Sequence, residues 1–145
     1  MAKKIFEIKW LSEPEDHDYP AAKSYLSMLF EELFAKKIVK ELKKAPISKF
    51  KAKDIFRASE LSLLGVSNSH VLKDQKKIES GAAIAPLLLV RDTCNGKVII
   101  ADGYHRLCAI YIRLMKTLLF PVKSYSNRSI KLWQEQKKHS YNSII

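Results

Sequence analysis

Five consecutive residues, Asp102-Gly103-Tyr104-His105-Arg106, place a carboxylate, an imidazole and a guanidinium where an apolar run ends and helical periodicity begins. An anion suits that arrangement. The first turn of a helix has amide hydrogens with no intrahelical acceptor and the positive end of the helix dipole, so a phosphate or carboxylate there meets backbone donors. Gly103 lets the chain bend steeply or a ligand approach the backbone. Arg106 can grip two oxygens at once, and His105 can donate a hydrogen bond to the same anion or carry a proton. Two roles are open to Asp102: capping the helix, or orienting His105 or a bound metal ion. Each residue also has a purely structural role open to it. Asp102 can be a plain cap, His105 can bond to nearby backbone, and Arg106 can lie over the apolar face of its helix.

Other chemistries lack their signatures. The chain has no GxxxxGK[ST] loop, no HExxH, no CxxC and no GxSxG, which removes the common nucleoside-triphosphatase, zinc-protease, thiol-redox and serine-hydrolase motifs. Cys108 follows His105 on the same helix, but its apolar neighbours make it a packing residue rather than a nucleophile. His17, His70 and His139 have no mutual spacing that marks a metal site. His70 is the one that can come near the motif in space.

The elements around the motif are readable from periodicity. Pro86 to Val90 is a continuous apolar run of strand length, Asp92 to Gly96 supplies turn residues, and Val98 to Ala101 is a second run, so an antiparallel hairpin is expected. After Gly103 the apolar residues Leu107, Cys108, Ile110, Tyr111 and Leu114 follow a helical spacing, and Leu118 to Val122 reads as a further strand. Upstream, Ser69 to Ser80 is expected to be a helix capped by Ser67, Asn68 or Ser69 and stopped at Gly81. The segment Ile47 to Leu64 is ambiguous between an irregular strand around Phe50 to Phe56 and a short helix around Ala58 to Leu64. From Ala21 to Lys44 apolar residues recur every three or four positions, which predicts one long amphipathic helix, with Asp18 as its cap, Pro20 near its start and Pro46 at its stop. Ile5 to Leu11 reads as a short strand or extended arm, and Ile130 to Lys138 as an appended helix in a polar tail, 124–145.

At 145 residues and 47% apolar content, the chain is expected to be a single domain, 1–145, with an ordinary two-layer core that needs neither metal nor disulfide. Two cysteines without framework spacing point to reduced thiols, and no apolar stretch approaches a bilayer crossing, so a cytoplasmic protein without membrane contact is expected. A net charge of +11 favours anionic partners. The charge is uneven: acids cluster in the first twenty residues, whereas Lys36, Lys37, Lys40, Lys43, Lys44, Lys49, Lys51 and Lys53 follow one another closely.

The order of helix, Gly81, Pro86 to Val90, turn, Val98 to Ala109 and a short strand with Pro121 resembles the ParB/sulfiredoxin-like superfamily over roughly 50–122, about half of the chain. Ala52 to Ser59 and Ile100 to Arg106 also resemble an uncharacterised bacterial family. The resemblance implies an α+β fold, a small mixed sheet with packed helices, here preceded by the long amphipathic helix. It implies that the motif holds nucleotide phosphates. Gly103, His105 and Arg106 match its phosphate-binding positions, with Tyr104 between them, and Asp102 matches the acidic residue of the free-serine kinase branch. Lys53 and Arg57 would then border the far wall of the pocket. Tyr104 stands where sulfiredoxins carry their catalytic Cys, so sulfinic-acid reduction is not implied. The chain also lacks the length for the helix-turn-helix domain of the chromosome-partitioning branch. The serine-kinase branch uses a further Glu, for which Glu60 and Glu79 are the nearest candidates.

The leading expectation is a protein that binds a nucleotide or other phosphate ligand. Its chemistry, if it turns over, would be phosphoryl transfer or phosphate-ester hydrolysis, with Asp102 and His105 as catalytic groups and Mg²⁺ held by phosphate oxygens and Asp102. Two alternatives stand beside it. One is a non-enzymatic nucleic-acid binder using the lysines of 36–53 with Lys73, Lys76 and Lys77. The other is a helix-mediated interaction module, in which Leu26, Phe30, Leu33 and Phe34 pack against a second copy as a homodimer.

Overall fold

The computed structural model describes residues 7–112 and 118–126. It is an α+β fold with five helices and one mixed four-stranded sheet among those residues. In chain order the elements are α1 (Asp18–Leu29), α2 (Glu32–Lys44), β1 (Ile47–Lys51), α3 (Ala52–Ser59), α4 (Ser69–Glu79), β2 (Leu87–Asp92), β3 (Lys97–Asp102), α5 (Tyr104–Ile112) and β4 (Leu119–Ser126). The sheet order is β1-β4-β2-β3. β2 runs parallel to β4, and the two outer pairings are antiparallel.

The sheet carries a core on each face, so the fold has three layers where composition suggested two. Alternation along β2 makes this plain. Leu87 and Leu89 enter one cluster with Ala52, Ile55, Val71, Ile78, Leu107 and Phe120, while Leu88 and Val90 enter another with Ala22, Leu26, Phe34, Ile38 and Leu42. All four are buried because successive side chains of a central strand face opposite layers, each covered by helices. α3, α4 and α5 cover one face; α1 and α2 cover the other.

The long helix expected over Ala21 to Lys44 is two helices. The backbone is extended at Phe30 (φ −134°, ψ 165°) and at Glu31 (φ −60°, ψ 147°). Size explains the break. Twenty-four residues of straight helix would span roughly 36 Å, whereas the longest strand, eight residues, spans roughly 26 Å. Folding back lets both halves bury their apolar stripes on one sheet face. Leu26 and Phe34 are consumed in that packing, Phe30 lies edge-on to Phe34 with ring centroids 5.5 Å apart, and of the four residues expected to pair with a second copy only Leu33 is exposed.

The ambiguous middle resolves into both candidate elements, earlier than expected. β1 occupies Ile47–Lys51 and α3 follows immediately, ending where Glu60 adopts a left-handed conformation (φ 58°). The hairpin and α4 form as expected: Asn68 accepts from the amides of His70 and Val71 as the cap of α4, and Gly81 (φ 77°) follows its end. In the hairpin turn Asn95 donates from its side chain to Asp92 at 2.7 Å. β4 continues to Ser126, so Ser124 to Ser126 belong to the sheet rather than to a tail. The appended helix over Ile130 to Lys138, Leu114, and the start of the Ile5 to Leu11 arm lie outside the described residues. The rest of that arm pairs through Trp10 with Ile84 as an isolated parallel bridge.

A buried cation in the middle of β4 ties the sheet to the helix layer. Lys123 donates to the Lys43 carbonyl at the end of α2 (2.8 Å) and lies 2.6 Å from the Glu13 carboxylate. Burial disfavours its ammonium, but hydrogen bonds with Glu13 and Tyr19 outweigh that and raise its pKa.

Phe120 is fully buried in the first core, with its ring centroid 4.6 Å from that of Trp10. Phe120→Ala should destabilise the protein by about 3–5 kcal/mol in urea unfolding, whereas Leu33→Ala on exposed α2 surface should change stability by less than about 0.5 kcal/mol.

Candidate functional site

β3 ends at Asp102, Gly103 turns the chain at φ 107°, and α5 begins at Tyr104. The first turn of α5 is not capped by Asp102. That carboxylate accepts instead from Arg106 Nη2 at 3.2 Å, and the same nitrogen donates to the Pro86 carbonyl at 3.1 Å. Asp18 Oδ2, at the start of α1, lies 3.8 Å away. One guanidinium thus joins β3, the approach to β2 and the helix layer on the opposite face. Arg106 Nε is buried without a hydrogen-bond partner among the described residues.

Gly103 is required by this packing. A Cβ there would collide with Leu87 Cδ2 and lie 2.8 Å from Arg106 Nη2. The φ value adds strain for any L side chain. The bend was expected; its use by Arg106 was not.

A recess of about 150 Å³ opens beside this junction, lined by His70, Lys73, Asp74, Lys77, Asp102, Gly103, His105 and Arg106. The structure therefore brings Asp102, Gly103, His105 and Arg106 together and adds four residues of α4. The His70 and His105 rings lie 4.8 Å apart, tilted by 34°. Lys73 and Lys77 are one turn apart on α4, so both ammonium groups serve the same face. The first intrahelical bond of α5 is Leu107 N–H to the Gly103 carbonyl, which leaves the amides of Tyr104, His105 and Arg106 as first-turn donors.

The protonation states follow from burial and neighbours. The Asp102 carboxyl is pushed up to about 6, first by burial, with Arg106 opposing and Asp18 reinforcing the shift. Asp74 is also raised by burial, against the pull of Arg106, Lys77, His105 and Lys73. His105 is lowered, first by burial and then by His70, with Asp74 opposing, so it is neutral at neutral pH. Its role at rest is that of a hydrogen-bonding group or proton acceptor, not a fixed charge.

Three expected residues lie elsewhere. Tyr104 hydrogen-bonds through its hydroxyl to the Ser62 carbonyl and packs near Phe56. Lys53 and Arg57 line a separate hollow with Phe56, Leu61, Leu63 and Tyr111, and Arg57 sits 3.8 Å from Asp54. Neither forms a wall of the recess at Gly103. Glu60 pairs with Lys97 at 3.5 Å; the acid that α4 supplies to the recess is Asp74. Cys108 is buried and its thiol is pushed up by burial, as befits a packing residue.

Asp18 was expected to cap α1. It is the first residue of that helix instead, with 2% of its surface exposed, and its Oδ2 accepts from the Glu15 amide at 3.0 Å. His17 Nε2 lies 3.3 Å from carboxylate oxygens of both Glu15 and Asp18. Glu15, His17 and Asp18 are the only three such groups among the described residues whose metal-ligand atoms converge, and their ion pairs account for that convergence.

Two predictions follow from the junction. Gly103→Ala should cost about 3 kcal/mol or prevent folding, combining overpacking against Leu87 with left-handed strain, as read by thermal unfolding without any ligand. For Asp102, a folded-state value raised from 3.8 to about 6 contributes stability that is complete below about pH 4 and lost as pH rises through about 6. Asp102→Asn should therefore gain stability relative to wild type as pH increases from 4 to 8, by on the order of 2 kcal/mol, in paired melts across that range.

Comparison of the chain with protein-family models, with curated proteins and with solved structures finds no match.

Proposed function

We propose that the recess at the start of α5 receives the phosphate group of a small molecule, and that this protein is a phosphate-ligand-binding protein of the ParB/sulfiredoxin-like type. One observation carries the reading. The carboxylate beside the start of α5 is turned onto Arg106, so no side chain among the described residues caps the first-turn amides, and His105 and Arg106 of that turn line a recess together with His70, Lys73 and Lys77. Amides at a helix start with lysines above them form an oxyanion receptor. At about 150 Å³ the space is half that of the smallest drug-sized pockets, about 300 Å³. A phosphate or diphosphate group fits within it, and the remainder of a nucleotide would extend over the rim.

Arg106 supports this receptor chiefly from behind. Its guanidinium is engaged by Asp102 and Pro86, so the ligand's direct cationic partners are Lys73 and Lys77. His105, neutral at rest and beside His70, is placed to donate a hydrogen bond or accept a proton at the phosphate oxygen. A Mg²⁺ ion carried by the phosphate would supply charge neutralisation during phosphoryl transfer or ester hydrolysis. Asp74 suits such an ion better than Asp102, because Asp74 has no hydrogen bond or ion pair among the described residues whereas Asp102 is held by Arg106.

The test is ligand-dependent thermal stabilisation with pyrophosphate, sulfate and a panel of nucleotides, with and without Mg²⁺. Stabilisation by at least one phosphate compound is expected, and Lys77→Ala or His105→Ala should each weaken binding by about 10-fold or more, the loss of one charge-assisted or buried hydrogen bond. Equal responses in wild type and both variants would overturn the assignment of this recess. Sulfate keeps its charge between pH 5.5 and 8. Its affinity should rise about tenfold as pH falls across that interval, because the Asp102 carboxyl, pushed up to about 6, takes up a proton and removes a negative charge from the recess.

A further inference from the structure

A hollow of about 740 Å³ lies on the other side of the sheet, between α1 and α2. Its charged lining consists of lysines alone: Lys23, Lys36, Lys37, Lys40 and Lys43. Its floor is apolar, made by Tyr19, Pro20, Leu33 and Val39. Leu33 is 81% exposed, an unusual position for a large aliphatic residue on a helix whose other apolar residues are buried. Lys36, Lys37 and Lys40 have no acidic partner within salt-bridge distance among the described residues, while Lys23 is 3.9 Å from Glu32 and Lys43 lies over the Tyr19 ring at 5.5 Å. The break at Phe30 and Glu31 creates this groove by folding α2 back beside α1.

We propose that this groove docks an acidic amphipathic segment of another protein, with apolar side chains seated between Leu33, Val39 and Pro20 and carboxylates meeting Lys36, Lys37 and Lys40. Charge complementarity selects an acidic occupant. The shape and floor select a peptide over the other polyanions. A nucleic-acid backbone makes no use of an apolar floor, and its bases require exposed stacking faces, whereas Tyr19 is 8% exposed and no other aromatic ring lines the groove. All five cations are Lys, which bind as point charges, and no Arg is present for bidentate phosphate recognition. A membrane surface is flat and does not fill a concave groove. An apolar trough flanked by charge is the receiving geometry of helix-in-groove recognition. The site is separate from the recess at α5, because α2 packs on the opposite face of the sheet from α4 and α5.

The probe is a synthetic fluorescein-labelled helical peptide with Leu at i, i+3 and i+7 and Glu on both flanks. Controls are the same peptide with Ser at the three Leu positions, and labelled single-stranded and duplex DNA. Anisotropy should show saturable binding of the Leu peptide, at least 10-fold weaker binding of the Ser peptide, and at least 10-fold loss with either Leu33→Glu or the Lys37→Glu/Lys40→Glu pair. Both substitutions are on exposed α2 positions and should leave the melting temperature within a few degrees. Amide shifts on adding the Leu peptide should concentrate in α1 and α2. Absence of binding at about 1 mM peptide, equal affinity for the Leu and Ser peptides, or tighter DNA binding that the same variants abolish would each overturn the proposal.

Discussion

The position of Arg106 is the constraint on which the rest of the junction depends. Its guanidinium joins Asp102 at the end of β3, the Pro86 carbonyl before β2 and Asp18 at the start of α1, so a single side chain ties both helix layers to the sheet. It is a largely buried cation, 16% exposed, and an ion of that kind is tolerated only when its partners replace the lost water. Two carboxylates and a carbonyl do so at Nη2, while Nε is left without a hydrogen-bond partner among the described residues. The absence of a side chain at Gly103 leaves the room in which they meet.

Several properties of the site descend from that arrangement. Because Asp102 serves Arg106, it does not serve the helix start, and the first-turn amides of α5 remain donors in search of an acceptor. Burial raises the Asp102 carboxyl first, and Asp18, which converges on the same cation, adds repulsion, so Asp102 is partly protonated near pH 6 despite the pull of Arg106. The neighbouring imidazoles then face a site whose net positive charge grows as the solution becomes more acidic. Structural support and electrostatic tuning are here the work of the same few atoms.

The hairpin, α4 and the strand-to-helix junction could be read from the sequence because each rests on local signals: Asn95-Gly96, the Asn68 cap, Gly81, and a change of period after Gly103. The bend between α1 and α2 could not. Phe30 and Glu31 carry no glycine or proline, the apolar spacing runs through them, and only the length of the sheet face dictates the break. The third layer had a signal in the unbroken apolar run from Leu87 to Val90, since a strand with one wet face alternates. Lys73 and Lys77 read from the sequence only as lysines of a nucleic-acid binder, and Asp74 not at all, because their place at the motif depends on α4 packing beside α5. Asp18 was placed correctly at a helix start, but its burial against Arg106 depends on a contact across 88 positions of chain, which no local pattern encodes. Lys53 and Arg57 had only the resemblance to support them at the pocket, and the path of α3 carries them to a different hollow.

The central claim is that the start of α5 is held open as an oxyanion receptor. Following the backbone amide resonances of Tyr104, His105 and Arg106 during titration with pyrophosphate addresses it most directly. The account predicts large downfield shifts of those amides that saturate together with shifts in the Lys73 to Lys77 turn of α4. Pyrophosphate binding that leaves the three amides unmoved while resonances elsewhere saturate would contradict it.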